Sequence, residues 1–123
     1  MGKEGFKDLV VWQRAKDLAV LVYKISNEGS LGKDFGLRDQ LRRSAVSIAS
    51  NLAEGDERDT DKDSIRFFYI AKGSLAELRT QIQIAFEIGY IEKGVFLKLD
   101  DECEQIGKMI GALIKARKQR SSL

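Results

Sequence analysis

Leu41–Gly55, LRRSAVSIASNLAEG, and Phe67–Gln81, FFYIAKGSLAELRTQ, decide the reading of this chain. Both have the apolar spacing of an amphipathic helix, with small and polar residues along the stripe that faces a core. Arg43, Ser47, Asn51 and Glu54 recur at steps of four, four and three, so they share one helical face. Ser74, Glu77 and Gln81 do the same on the second stretch. A plain solvent-facing stripe would be mostly Lys and Glu; these residue types form hydrogen bonds at short range. Two roles fit the cluster: fixing the register of two helices, or binding something between them.

Working outward, the same periodicity continues on both sides. The first helix is expected over residues 8–27, with Val11, Ala15, Leu18, Val22 and Ile25 on one stripe. The second spans 35–55 around Leu41, Ala45, Ile48 and Leu52. Gly55 reads as its terminator, since glycine tolerates the left-handed conformation at a helix end. The third spans 61–88, capped by Thr60 or Asp61 and ended by Gly89, with Phe68, Ala71, Leu75, Leu78, Ile82 and Ala85 as a heptad-like seam. The fourth spans 93–118 and repeats the pattern in Phe96, Leu99, Cys103, Ile106, Ile110 and Leu113. With no proline and little support for strands, the fold class is all-α. Short connections favour antiparallel neighbours, so the expected architecture is one up-down-up-down four-helix bundle over 1–123. Packed this way, Arg43 lies near Glu77 and is expected to pair with it, with Ser47 and Ser74 adding polar contacts.

Composition narrows the function classes. The 123 residues are 43% hydrophobic and 33% charged, which suits a folded helical domain. Apolar runs are too short to span a bilayer or to act as a signal peptide. The single cysteine, Cys103, falls on an apolar seam and is expected to be a buried thiol; a cytoplasmic location follows as the default. The absence of histidine removes histidine-based triads and Glu-x-x-His di-iron sites. Lys72-Gly73-Ser74 lies inside a helix, the wrong context for a phosphate loop, and the acids of residues 54–63 lack an EF-hand's pattern and read as a solvated turn. No catalytic residue, metal or cofactor is expected, and the chain reads as non-enzymatic.

The charge pattern points elsewhere. Net charge is only +2, but Lys115, Arg117, Lys118 and Arg120 crowd the last helical turns, while Asp100–Glu104 is acidic. The tail either complements the helix dipole or binds phosphate. Arg38 and Arg42 share a second basic face. These six residues are the expected nucleic-acid contacts. Trp12 and Tyr69 are candidates for base stacking, although core or interface packing fits them better. Apolar positions flanking the seams (Val10, Leu21, Val46, Ile70, Ile84, Ile88, Val95 and Ile114) exceed what a four-helix core covers and suggest self-association.

RRSAVSIASNLAEG paired with FFYIAKGSLAELRTQ, the opening VWQRAKDLAVLVYKI and the IGYI after the third helix together resemble the four-helix-bundle proteins associated with 23S ribosomal-RNA intervening sequences. The resemblance runs from Phe6 to about Ala116. Ala49 stands where many of those proteins have proline, which implies a straighter second helix. The resemblance implies a homo-oligomer, commonly a pentameric ring. It is also similar to accessory proteins of diversity-generating retroelements, which engage nucleic acid and a reverse transcriptase. Arg43, Ser47, Asn51, Glu54, Gly55, Gly73, Ser74 and Glu77 mark the family pattern. Expected partners are therefore copies of the chain, RNA or DNA, and a protein such as a reverse transcriptase, with no membrane.

Overall fold

In a computed structural model, residues 5–122 are described. The span expected for the domain, 1–123, begins and ends on residues 1–4 and 123, which lie outside the described residues. A 3-10 turn at Gly5–Asp8 leads into α1 (Val10–Ile25), a short α2 (Gly29–Lys33), α3 (Phe35–Asp56), α4 (Asp61–Glu87) and α5 (Lys93–Ser121). No strand occurs among the described residues. The four long helices match the expected ones to within a few residues; α2 falls in a stretch read only as a glycine-punctuated connection.

Contacts fix the topology. Tyr23 and Ser26 at the end of α1 meet Arg42 near the start of α3. Ser47 of α3 meets Ser74 of α4, and Arg79 and Tyr69 of α4 meet Asp100 and Lys118 of α5. Arg14 of α1 closes the ring of helices by pairing with Glu102 of α5 at 2.6 Å. Each helix is antiparallel to its sequence neighbour, which is the up-down-up-down bundle.

The seams converge on one core in which Phe68, Leu18, Ile48, Leu52, Leu78, Ile82, Ile106 and Ile110 are fully enclosed. Each such side chain contributes roughly 1.5–3 kcal/mol of transfer free energy. Ile114, expected on the surface, is buried, and Leu113 is only partly so. α5 therefore presents Ile110 and Ile114, one turn apart, to the core over its last turns. Leu21 and Val95, also expected outside, pack partly against the core. Val10, Val46, Ile70, Ile84 and Ile88 are exposed as expected.

Local chemistry sets the helix ends. The Thr60 hydroxyl accepts from the Asp63 N–H at 3.2 Å and caps α4. Asp34 caps α3 through the Leu37 N–H and accepts from the Tyr90 hydroxyl at 3.0 Å, tying the two connections at that end together. Gly89 ends α4 at φ +82°, a conformation that costs a side-chain-bearing residue about 1 kcal/mol. Gly55 behaves differently from its expected role. It is helical, α3 runs on to Asp56, and an added Cβ would lie 2.6 Å from Phe68 Cε1. Close approach of α4, not a left-handed turn, calls for glycine there.

Candidate nucleic-acid interface

Between Ser64 and Ala76 on α4, and between Gln105 and Ser122 on α5, there is no aspartate or glutamate. The bundle sets these two acid-free segments side by side and antiparallel, which brings Lys118 to Tyr69. At its centre the Lys118 ammonium donates to the Tyr69 hydroxyl at 2.8 Å and lies 5.2 Å from the ring centre. Lys72 follows Tyr69 by one turn on α4, and Lys115 precedes Lys118 by one turn on α5. All four side chains are exposed, and none of the three lysines has a carboxylate partner among the described residues. The Lys118 hydrogen bond and charge, with a smaller contribution from Lys72, hold the Tyr69 phenol below its ordinary range.

The other expected basic contacts are engaged within the bundle. Arg117 is only 13% exposed; it donates to Asp56 at 2.8 Å and lies over the Phe68 ring. Arg120 forks onto Asp61. That contact, a hydrogen bond first and a charge second, lowers the Asp61 carboxyl below its ordinary value. Its stabilising contribution is therefore present near neutral pH and lost as pH falls through the depressed value. Arg38 donates to Asp39 at 3.0 Å and to the Gly32 carbonyl, stacked on Phe35. Arg42 donates to buried Ser26 at 2.8 Å and stacks on Tyr23, stapling α1 to α3. The tail and the Arg38/Arg42 face are thus not a continuous basic surface, and the acidic turn, read as solvated, is the tail's partner. Lys72 and Tyr69 were not among the expected phosphate contacts, though the missing acids in both segments are visible in the sequence.

The polar cluster lies elsewhere, between α3 and α4. Ser47 and Ser74 share a hydrogen bond at 2.8 Å, and the Asn51 amide donates to both the Ser47 carbonyl and its hydroxyl. Arg43 and Glu77 line one cleft of about 210 Å³ with Gln40, Ser44 and Ser47 but form no ion pair within 4.0 Å. Both are exposed, where solvent screening leaves a pair worth close to nothing. Glu54 pairs with Arg58, in the turn after α3, at 3.4 Å. Ser44 and Ser74 are buried, so short polar residues let α3 and α4 approach closely. Gln81 Oε1, on the same stripe, is buried without a hydrogen-bond partner among the described residues.

The described part of the chain offers little for cofactor chemistry. No group of three or more His, Cys, Asp or Glu side chains is gathered for a metal among the described residues. Cys103 is buried, and desolvation pushes its thiol up to about 12, which keeps it neutral and a poor nucleophile. Trp12 packs edge-on against Phe6 at 5.1 Å, leaving Tyr69 as the stacking candidate on the basic face. No described helix is long and apolar enough to cross a membrane.

The family model described as 23S rRNA-intervening sequence protein matches residues 7–112. The chain belongs to that family. A crystal structure of a protein of unknown function, from the S23 ribosomal protein family and from Bacteroides thetaiotaomicron, is similar in fold at TM-score 0.80 and 24% identity. The alignment covers 86% of this chain and 99% of that one. No curated protein matches the chain. The matched span takes in α1, α3, α4 and most of α5 but stops before Lys115. Of the basic face, Tyr69 and Lys72 fall inside the family match; Lys115 and Lys118 fall beyond it.

Proposed function

We propose that this family member is a non-enzymatic, cytoplasmic bundle that associates with structured RNA or other nucleic acid through the face shared by α4 and α5. Lys72, Lys115 and Lys118 contact phosphates, and Tyr69 supplies a hydroxyl and a ring for an unstacked base. The observation that carries this reading is the pair of acid-free segments with three lysines, lacking carboxylate partners among the described residues, around an exposed tyrosine. Lysines that give up no ion pair on binding spend their full charge on the ligand. The family's description, which names an intervening sequence of 23S rRNA, supports the choice of RNA.

The test is binding to a labelled structured RNA across a salt series. Replacing Lys72, Lys115 and Lys118 by glutamine is expected to weaken binding by about tenfold or more. It should also flatten the slope of log K against log salt by about 2, the loss of three phosphate contacts. An unchanged slope would overturn the site, and no binding by the wild type at low salt would overturn the reading.

A second reading, an assembling scaffold, is favoured by a different surface. Phe6, Trp12, Ala19, Val20, Tyr23, Val46, Ala49 and Ala53 line an apolar groove of about 640 Å³ between α1 and α3. We infer that this face joins copies of the chain, in keeping with a pentameric ring, or receives a protein partner such as a reverse transcriptase. The two readings are compatible, because a ring multiplies each copy's cations. Sedimentation velocity at micromolar concentration should show an oligomer that Val46→Glu reduces to monomer. A wild type that sediments as a monomer would remove self-association.

A further inference from the structure

We propose that the turn between α3 and α4 carries a built-in competitor for the nucleic-acid phosphates, its Asp61 carboxylate holding Arg120 in reserve at the edge of the basic face. The inference rests on the nucleic-acid reading above. Asp56 at the end of α3 and Asp61 at the start of α4 bracket the turn, and each takes one arginine from the last turns of α5. The fork of a guanidinium on a carboxylate has the same geometry and charge as its fork on a phosphate. The Asp61 carboxylate therefore stands where an incoming phosphate would otherwise meet Arg120.

The two clasps differ in strength. Arg117 and Asp56 are 13% and 16% exposed, and the arginine also lies over Phe68, so this pair anchors the helix end. Arg120 is 61% exposed on an Asp61 that is 19% exposed. Solvent screens that pair and a competing anion can reach it. Asp61 lies about two turns before Tyr69, the partner of Lys118, on α4, so once released Arg120 adds a cation beside the phosphate-contacting lysines. Nucleic acid must displace Asp61 to recruit it, and the wild type then binds as if one cation fewer were present.

The test is a double-mutant cycle in RNA affinity. Asp61→Asn should bind about two- to fivefold tighter than wild type, with a salt slope steeper by about 0.7. In an Arg120→Gln background the same substitution should gain nothing. Asp101→Asn, which removes one negative charge at the far end of α5, controls for net charge. Urea midpoints and far-UV circular dichroism establish that each variant is folded. If wild type binds and Asp61→Asn binds no better, or gains equally without Arg120, the clasp is not a competitor and the inference fails while the functional reading stands. If only Asp61→Asn binds, the mask is complete and the inference holds. If neither binds, both fail.

Discussion

Truncating Phe68 to alanine is expected to cost about 4 kcal/mol of folding stability. The ring is fully enclosed, and it is the largest such side chain in the core. It fills the space that Gly55 leaves on α3, and Arg117 lies over it at 5.2 Å from the ring centre. Removing it therefore opens a cavity and admits water beside the mostly buried Arg117–Asp56 pair, weakening two contacts at once. For a domain whose stability is about 5–15 kcal/mol, this is a large fraction of the total. Phe68→Leu, which keeps most of the volume, should lose less than about 2 kcal/mol. Urea unfolding measures both through the midpoint at constant slope. A Phe68→Ala loss under about 1 kcal/mol would mean that the α3–α4 packing does not depend on this ring.

Much of the bundle was legible because the apolar seams repeat with few interruptions. Leu41, Ala45, Ile48 and Leu52 on α3, and Phe68, Ala71, Leu75, Leu78, Ile82 and Ala85 on α4, are all buried as their spacing requires. Thr60 and Gly89 likewise act through local chemistry that needs no partner helix. What the sequence hid depends on which residues meet across helices. Arg117 and Arg120 read as free cations until the turn that folds against them is in view. Arg42 looks like a phosphate contact, yet buried Ser26 and the Tyr23 ring claim it. Arg43 and Glu77, expected to form an ion pair, line one cleft without pairing with each other.

The polar cluster follows the same logic. Ser47, Asn51 and Ser74 satisfy one another, so their burial carries no unmatched hydroxyl, and their small size permits the close α3–α4 approach that Gly55 also serves. That assigns the most distinctive residues of the two decisive stretches to helix packing. On another side of α4, Tyr69 meets Lys118 of α5 and Lys72 follows one turn on, with no carboxylate partner for either lysine among the described residues. One helix thus divides its work between a close-packed face and a basic one. Substitutions in the first should move stability, and those in the second should move binding and leave the urea midpoint unchanged.

Gly55→Ala separates two physical accounts of that close-packed face. Within a helix, alanine is favoured over glycine by about 1 kcal/mol, so propensity alone makes the substitution stabilising. Against it, the new methyl would sit 2.6 and 2.9 Å from Phe68 Cε1 and Cδ1 and 3.0 Å from the Ser64 carbonyl oxygen. The ring has no free volume to retreat into, and the carbonyl belongs to the first turns of α4, so relief requires moving the helix. Overpacking of this kind costs about 3 kcal/mol, which outweighs propensity and leaves a net loss of about 2 kcal/mol. Had Gly55 been needed for a left-handed turn, the loss would not depend on residue 68. With steric conflict as the cause, Phe68→Leu should relieve part of it. The double variant should then be less destabilised than the two single losses added together, by about 1 kcal/mol. Strict additivity in urea unfolding would return Gly55 to a purely backbone role, and a stabilised Gly55→Ala would mean that α4 does not approach α3 this closely.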